Sequence, residues 1–79
     1  MVIKISVIIP NYNGKNLLAE NLPKVIKNCP NCEIIVVDDA SSDDSVKYVK
    51  KNFPQIKIII NWQNQGFAKT ANRGVVNAE

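Results

Sequence analysis

Ile34-Ile35-Val36-Val37-Asp38-Asp39-Ala40-Ser41-Ser42-Asp43-Asp44 is the stretch that decides the fold. Four apolar β-branched residues stop abruptly at two adjacent carboxylates, and a polar stretch then opens a helix. A short continuous apolar run suits a strand buried on both faces of a parallel sheet. The acids at its end then stand on the carboxyl edge, where open α/β sheets bind ligands. Two adjacent acids there cost stability unless they accept hydrogen bonds from a ligand's N–H or O–H groups or share a divalent cation. The plainer reading has Asp38 ending the strand and Asp39 to Asp44 capping the next helix. The run by itself leaves both readings open.

The same strand-then-helix pattern flanks this run on both sides. Val2 to Ile9 reads as a first strand that Pro10 ends, followed by the turn Asn11-Tyr12-Asn13-Gly14. Leu18, Leu22, Val25, Ile26 and Cys29 then form one apolar helical stripe. Pro23 lies within that stripe and predicts a kink or a restart of the helix. The second strand is Glu33 to Val37. Its helix is expected from Ser41 or Ser42, with Asp43 and Asp44 in the first turn, a Ser-x-x-Asp capping pair, and Val46, Val49 and Phe53 on the buried face. Pro54 closes it. The third strand, Ile56 to Ile60, leads into Asn61-Trp62-Gln63-Asn64-Gln65-Gly66. The last helix carries Phe67, Ala71, Gly74, Val75 and Ala78 on one face, and the small Ala71 and Gly74 allow it to approach the sheet closely. Consecutive βαβ units of this kind predict an α/β fold, three layers in the order βαβαβα around a parallel sheet.

Seventy-nine residues make one small domain at most, and a domain of that size buries only about 60% of its unfolded-chain surface. With 46% hydrophobic and 22% charged residues, the composition is that of an ordinary globular fold. No stretch reaches the ~18 to 20 apolar residues of a membrane span, and the N-terminus lacks the sections of a signal peptide; the expected location is cytoplasmic. The net charge of +3 comes from scattered lysines, which read as a solvated surface rather than a nucleic-acid stripe.

Cys29 and Cys32 form a Cys-Pro-Asn-Cys spacing that invites a redox or zinc reading. A redox pair gains its low thiolate pKa at a helix N-terminus, whereas this pair follows a helix and meets the negative dipole end. Zinc needs four ligands, and with no histidine and no third cysteine one copy offers two. A loop pair without a functional role is the simpler expectation.

Three turns therefore meet at one edge of the sheet: Pro10 to Gly14, Asp38 to Ser42, and Asn61 to Gly66. Tyr12 beside a proline could lay its ring against a planar base, and Asp39 could accept the imide N–H of a pyrimidine. Gly66 at a helix head could leave amides free for a phosphate, with Lys69 and Arg73 adding positive charge. Taken singly, each has a plainer reading as a turn or surface residue.

Three blocks go further together. Ile5-Ser6-Val7-Ile8-Ile9-Pro10-Asn11-Tyr12-Asn13, then Val36-Val37-Asp38-Asp39-Ala40-Ser41-Ser42-Asp43, then Asn64-Gln65-Gly66-Phe67-Ala68 through Asn72-Arg73-Gly74 closely resemble, in order and spacing, the N-terminal part of family 2 glycosyltransferases. Those are inverting enzymes of the GT-A fold, a Rossmann-like arrangement that takes a sugar from a nucleoside-diphosphate sugar. The resemblance covers the whole chain and implies that residues 1–79 are a single partial domain, the N-terminal half of a GT-A fold. It further implies a nucleotide site made of Pro10, Asn11, Tyr12, Asp39, Asn64, Gly66 and Lys69, and a nucleotide sugar as partner, by default a uridine diphosphate sugar.

The family pattern continues into a fourth strand ending in Asp-x-Asp, which holds the Mg or Mn ion of the complete enzyme, and later into a carboxylate that serves as general base. Neither motif occurs in this sequence, so no catalytic or metal-binding residue is expected here and the chain alone is expected to be inactive. Membrane association is expected only through segments beyond it. The free side of the first strand, Val2 to Ile9, is expected to recruit a second copy. The competing function is a non-catalytic module that binds nucleotides or self-assembles. A receiver-like phosphoacceptor fails on order, because its acid pair follows the first strand rather than the second.

Overall fold

The computed structural model describes residues 4–78. Its elements are β1 (Ser6–Asn11), α1 (Lys15–Asn28), β2 (Glu33–Asp38), α2 (Ser45–Asn52), β3 (Lys57–Ile60) and α3 (Phe67–Asn77). The three strands are parallel in the order β1-β2-β3. Ser6 pairs with Glu33 and Asn11 with Asp38, while Ile35 pairs with Lys57 and Asp38 with Ile60. Loops connecting parallel strands must cross a face of the sheet, and here α1 and α2 cover one face while α3 covers the other.

The residues of β2 alternate between these layers. Ile34 and Val36 join Leu18, Leu22, Val49 and Ile56 in the aliphatic core under α1 and α2, with Val7, Ile9 and Tyr48 packed around it. Val37 points the other way and, with Ile8, meets α3 at Gly74. A Cβ at Gly74 would lie 2.9 Å from Val37 Cγ2 and closer still to Ile8 Cγ2. The expected close approach of the last helix is therefore present, and it depends on the missing side chain.

Several boundaries differ from the sequence expectation. Pro10 does not end β1 but pairs within it, opposite Val37. The carbonyls of Ile5 and Asn11 accept from Glu33 and Asp39, so the odd-numbered residues bond to β2 and Pro10 faces the free side, where its missing N–H costs no ladder bond. The expected start at Val2 falls outside the described residues. α1 runs through Pro23 as one helix.

The second helix begins at Ser45, three or four residues later than expected, and Asp43 and Asp44 precede it. The Ser-x-x-Asp pair does not form. Instead the Asp43 carboxylate accepts the Ser45 amide at 3.0 Å and the Ser45 hydroxyl. In α3, Phe67 and Val75 are 77% and 62% exposed rather than buried. Thr70 and Gly74 face the sheet instead, because Arg73 is held to the Ile60 carbonyl and to Asn61 and fixes the rotation of the helix. The sulfurs of Cys29 and Cys32 are brought against each other in the turn before β2, a proximity that the sequence pattern does not announce.

Candidate functional site

At the carboxyl rim β1 ends on Asn11, β2 ends on Asp38, and Asn61 directly follows β3; hydrogen bonds tie these three residues together. Asp38, 2% exposed, accepts Asn11 Nδ2 at 2.9 Å and the Ser41 hydroxyl at 2.7 Å on Oδ1, and the Ser41 amide at 2.9 Å on Oδ2. It is a joint between β1 and the turn after β2. Asn13, at φ 52°, accepts the amides of Ser42 and Asp43 on its side-chain oxygen and donates its own amide to Ser41 Oγ. Lys15 donates its Nζ to Asp44 at 3.1 Å. The acids of the Asp38 to Asp44 run thus divide: Asp38 and Asp39 turn inward, while Asp43 and Asp44 stitch the loop after β2 to the start of α1.

Asp39 is 4% exposed. Its Oδ1 accepts Asn61 Nδ2 at 2.9 Å and the Gln65 amide at 2.6 Å, and its Oδ2 accepts the Gly66 amide at 2.9 Å. Burial pulls the pKa of Asp39 upward and is the largest single influence, but the donors from Asn61, Gln65, Gly66 and Thr70 together outweigh it and hold the pKa below the ordinary aspartate value. The amide of Gly66 is therefore not free for an outside phosphate, as the sequence suggested; the anion at the head of α3 is Asp39 itself. Gly66 has φ 87°, a backbone region that favours glycine, and this lets the two successive amides turn onto one carboxylate.

Asn61, 4% exposed, is expected from the sequence only as the start of the third rim turn and not among the site residues. Its Nδ2 donates to both Asp39 and Thr70 Oγ1, its Oδ1 accepts Arg73 Nη1 at 2.6 Å, and its amide donates to the Asp38 carbonyl at 2.8 Å. The available signal is an asparagine directly after an apolar strand, at the same rim as Asp38.

Of the seven expected site residues, Pro10, Asn11, Tyr12 and Asp39 line one notch of about 120 Å³, with Phe67 and Thr70 as further walls. Gly66 adjoins it through Asp39, and Asn64 reaches the Asp39 carbonyl at 3.5 Å. Lys69 does not line the notch. It opens onto a separate cleft with Asn61, Trp62, Gln63, Gln65 and Arg73. Among the described residues, no three Asp, Glu, Cys or His side chains come together to hold a metal ion. No helix there is long and apolar enough to cross a membrane.

Comparison with known proteins agrees with this arrangement. A glycosyltransferase of Rickettsia conorii is 40% identical over 78 residues, which make up 95% of this chain and 13% of that protein. A fragment of S. aureus TarS in complex with UDP superposes with a TM-score of 0.84 at 31% identity, over 98% of this chain and 25% of that one. The mannosyltransferase PcManGT from Pyrobaculum calidifontis, in complex with GDP-Man and Mn2+, gives 0.78 at 25% identity over 95% of this chain and 24% of its own. The chain thus spans about an eighth of the Rickettsia relative and about a quarter of each solved neighbour. Residues 6–79 match the model of glycosyl transferase family 2, and the chain belongs to that family.

Proposed function

We propose that this chain is the nucleotide-holding part of an inverting glycosyltransferase, which passes a sugar from a uridine diphosphate sugar to an acceptor hydroxyl. The observation that carries the reading is the convergence of Pro10, Asn11, Tyr12 and Asp39 on one notch. Its volume is below the roughly 300–1,000 Å³ of a typical ligand pocket, a size that suits the planar base rather than the whole donor. Tyr12, 57% exposed, offers its ring as a stacking surface. Asp39, kept ionised by its donors, is suited to accept the imide N–H of the base, which joins the donors already present rather than finding an unoccupied oxygen. Asn64 and Gly66 hold the Asp39 wall of the notch in place.

The PcManGT complex contains Mn2+, which supports a divalent ion for the complete enzyme. The described residues do not form a site for one, and no step of transfer is assigned to this chain's side chains. The same reading carries a cytoplasmic location. A second copy pairing on the free side of β1 is the associated assembly; among the described residues β1 pairs only with β2. Sedimentation at micromolar concentration as a clean monomer would exclude it.

Calorimetric titration with uridine diphosphate tests the main reading. Binding is expected with and without manganese, and it should weaken on Tyr12→Ala, whose exposed ring leaves the fold intact, and on Asp39→Ala. No heat from the wild-type chain, or equal affinity after both substitutions, rules out the notch as the base site. A non-catalytic nucleotide-binding module differs in one respect: a full-length protein of that kind would bind the nucleotide and release no sugar from a labelled donor.

A further inference from the structure

Beyond the Asp39–Asn61–Thr70 hydrogen bonds lies a second cleft of about 500 Å³, lined by Asn61, Trp62, Gln63, Gln65, Lys69 and Arg73. It shares no lining residue with the Tyr12 notch. Asn61 stands in its wall while Asp39 and Thr70, the partners of its side chain, stand in the wall of the notch, so these bonds form the partition between the two.

The cleft is cationic, and no carboxylate lines it. Between Ser45 and Ala78 the sequence contains Lys47, Lys50, Lys51, Lys57, Lys69 and Arg73 but no aspartate or glutamate, so the surrounding elements supply no counter-charge; Asp39, behind the partition, is occupied by its own donors. Lys69 sits in the first turn of α3, where the helix dipole disfavours a cation, and one turn from Arg73, a like-charge spacing that is destabilising in a helix. Both costs are relieved when an anion lies between them. The Arg73 guanidinium is already held in place at the cleft, since its Nη1 donates to the Ile60 carbonyl at 3.0 Å and to Asn61 Oδ1 at 2.6 Å. Among the described residues, the other guanidinium nitrogens have no partner. Beside these cations the indole of Trp62 is 98% exposed, an apolar plane left entirely to solvent at the cleft's edge.

We propose that this cleft binds a phosphate-bearing ligand, the phosphate between the Lys69 ammonium and the open side of the Arg73 guanidinium, and the attached group against Trp62. Guanidinium and ammonium together recognise a phosphate by charge-assisted hydrogen bonds, and indole suits either the carbon skeleton of a soluble phosphate ester or the headgroup level of a lipid surface. The cleft lies on the other side of the partition from the notch, so its phosphate site stands independently of the nucleotide reading.

Trp62 is the one tryptophan in the chain, so its fluorescence reports the cleft directly. The chain is titrated with inorganic pyrophosphate, with phosphatidylglycerol–phosphatidylcholine vesicles, and with phosphatidylcholine vesicles alone. A saturable emission change with pyrophosphate assigns a soluble phosphate; a blue shift with the anionic vesicles and none with the neutral ones assigns a lipid headgroup. Lys69→Glu should weaken whichever response appears at least tenfold, whereas Lys47→Glu on α2, with the same change in net charge, should leave it within twofold. No response to either anionic probe overturns the proposal, as does an equal loss in the two variants. Saturating uridine diphosphate should leave the response unchanged, also in Tyr12→Ala; competition would make the cleft the diphosphate end of the nucleotide site and end its independence.

Discussion

The two faces of the sheet are built on different principles, although the same strand supplies both. Under α1 and α2, Ile34 and Val36 meet Leu18, Leu22, Val49 and Ile56, and that layer is held by apolar burial. Under α3, contact comes from the absence of a side chain at Gly74 and, at the rim, from Asp39, Asn61, Thr70 and Arg73 bonded in series. The difference separates stability from site. Apolar packing tolerates any rim chemistry beside it, while a polar chain of bonds sets the positions of Asp39 and of the first turn of α3, which are walls of the notch.

The largest effect is expected on the apolar face. Leu22 is 1% exposed, and Leu22→Ala should cost about 2–5 kcal/mol from lost burial and the cavity left behind, read as a lower urea midpoint with unchanged slope. The folded fraction should bind uridine diphosphate as the wild type does. A parallel loss of affinity would show that the two faces are not separable.

Gly74→Val makes the complementary break. The new Cβ would press on Val37 and Ile8, and overpacking of this kind costs about 1–3 kcal/mol. Because α3 must move away from the sheet to relieve it, nucleotide affinity should fall in the folded protein as well. Stability lost with affinity retained would mean that the rim network holds its geometry without the close helix.

The apolar face is almost wholly legible in the sequence. β-branched runs and a stripe of leucines are local signals, and each strand and helix exists where the periodicity places it, with boundaries shifted by a few residues. The α3 face is less legible, because polar partners are chosen in space. Hydrophobicity assigns Phe67 and Val75 inward, yet Arg73 bonding to Ile60 and Asn61 turns Thr70 and Gly74 inward instead. The missing donor of Pro10 reads as a strand end, a rule that fails on the side of a strand that needs no donor. Tyr12, Asp39 and Asn61 are all legible as rim residues because they follow strands directly; the bond from Asn61 to Asp39, 22 positions earlier, is not, since nothing in the neighbourhood of Asn61 shows which residue it answers.

Acid offers the gentlest test of the same contrast, since it acts on the polar face and leaves aliphatic packing alone. Asp39 is held below its ordinary pKa by the Asn61, Gln65, Gly66 and Thr70 donors against the pull of burial, Asp43 chiefly by the Ser45 hydroxyl, and Asp44 chiefly by Lys15. For a carboxylate with a lowered folded-state pKa, the unfolded chain takes up protons first as pH falls, so the stabilisation is complete above the unfolded value of about 4 and is lost as pH drops through the folded value. The urea midpoint should therefore be flat from about pH 7 to about pH 5 and decline below about pH 4. Asp39→Asn should lower the plateau, because an amide nitrogen there faces the donors of Gln65 and Gly66, and should flatten the acid decline. Asp44→Asn, whose carboxylate is largely in solvent and holds only Lys15, should keep most of it. If the two variants exchanged these behaviours, the charge that pins the α3 face would be the loop stitch rather than Asp39, and the polar bonds at the rim would be a consequence of the helix position rather than its cause.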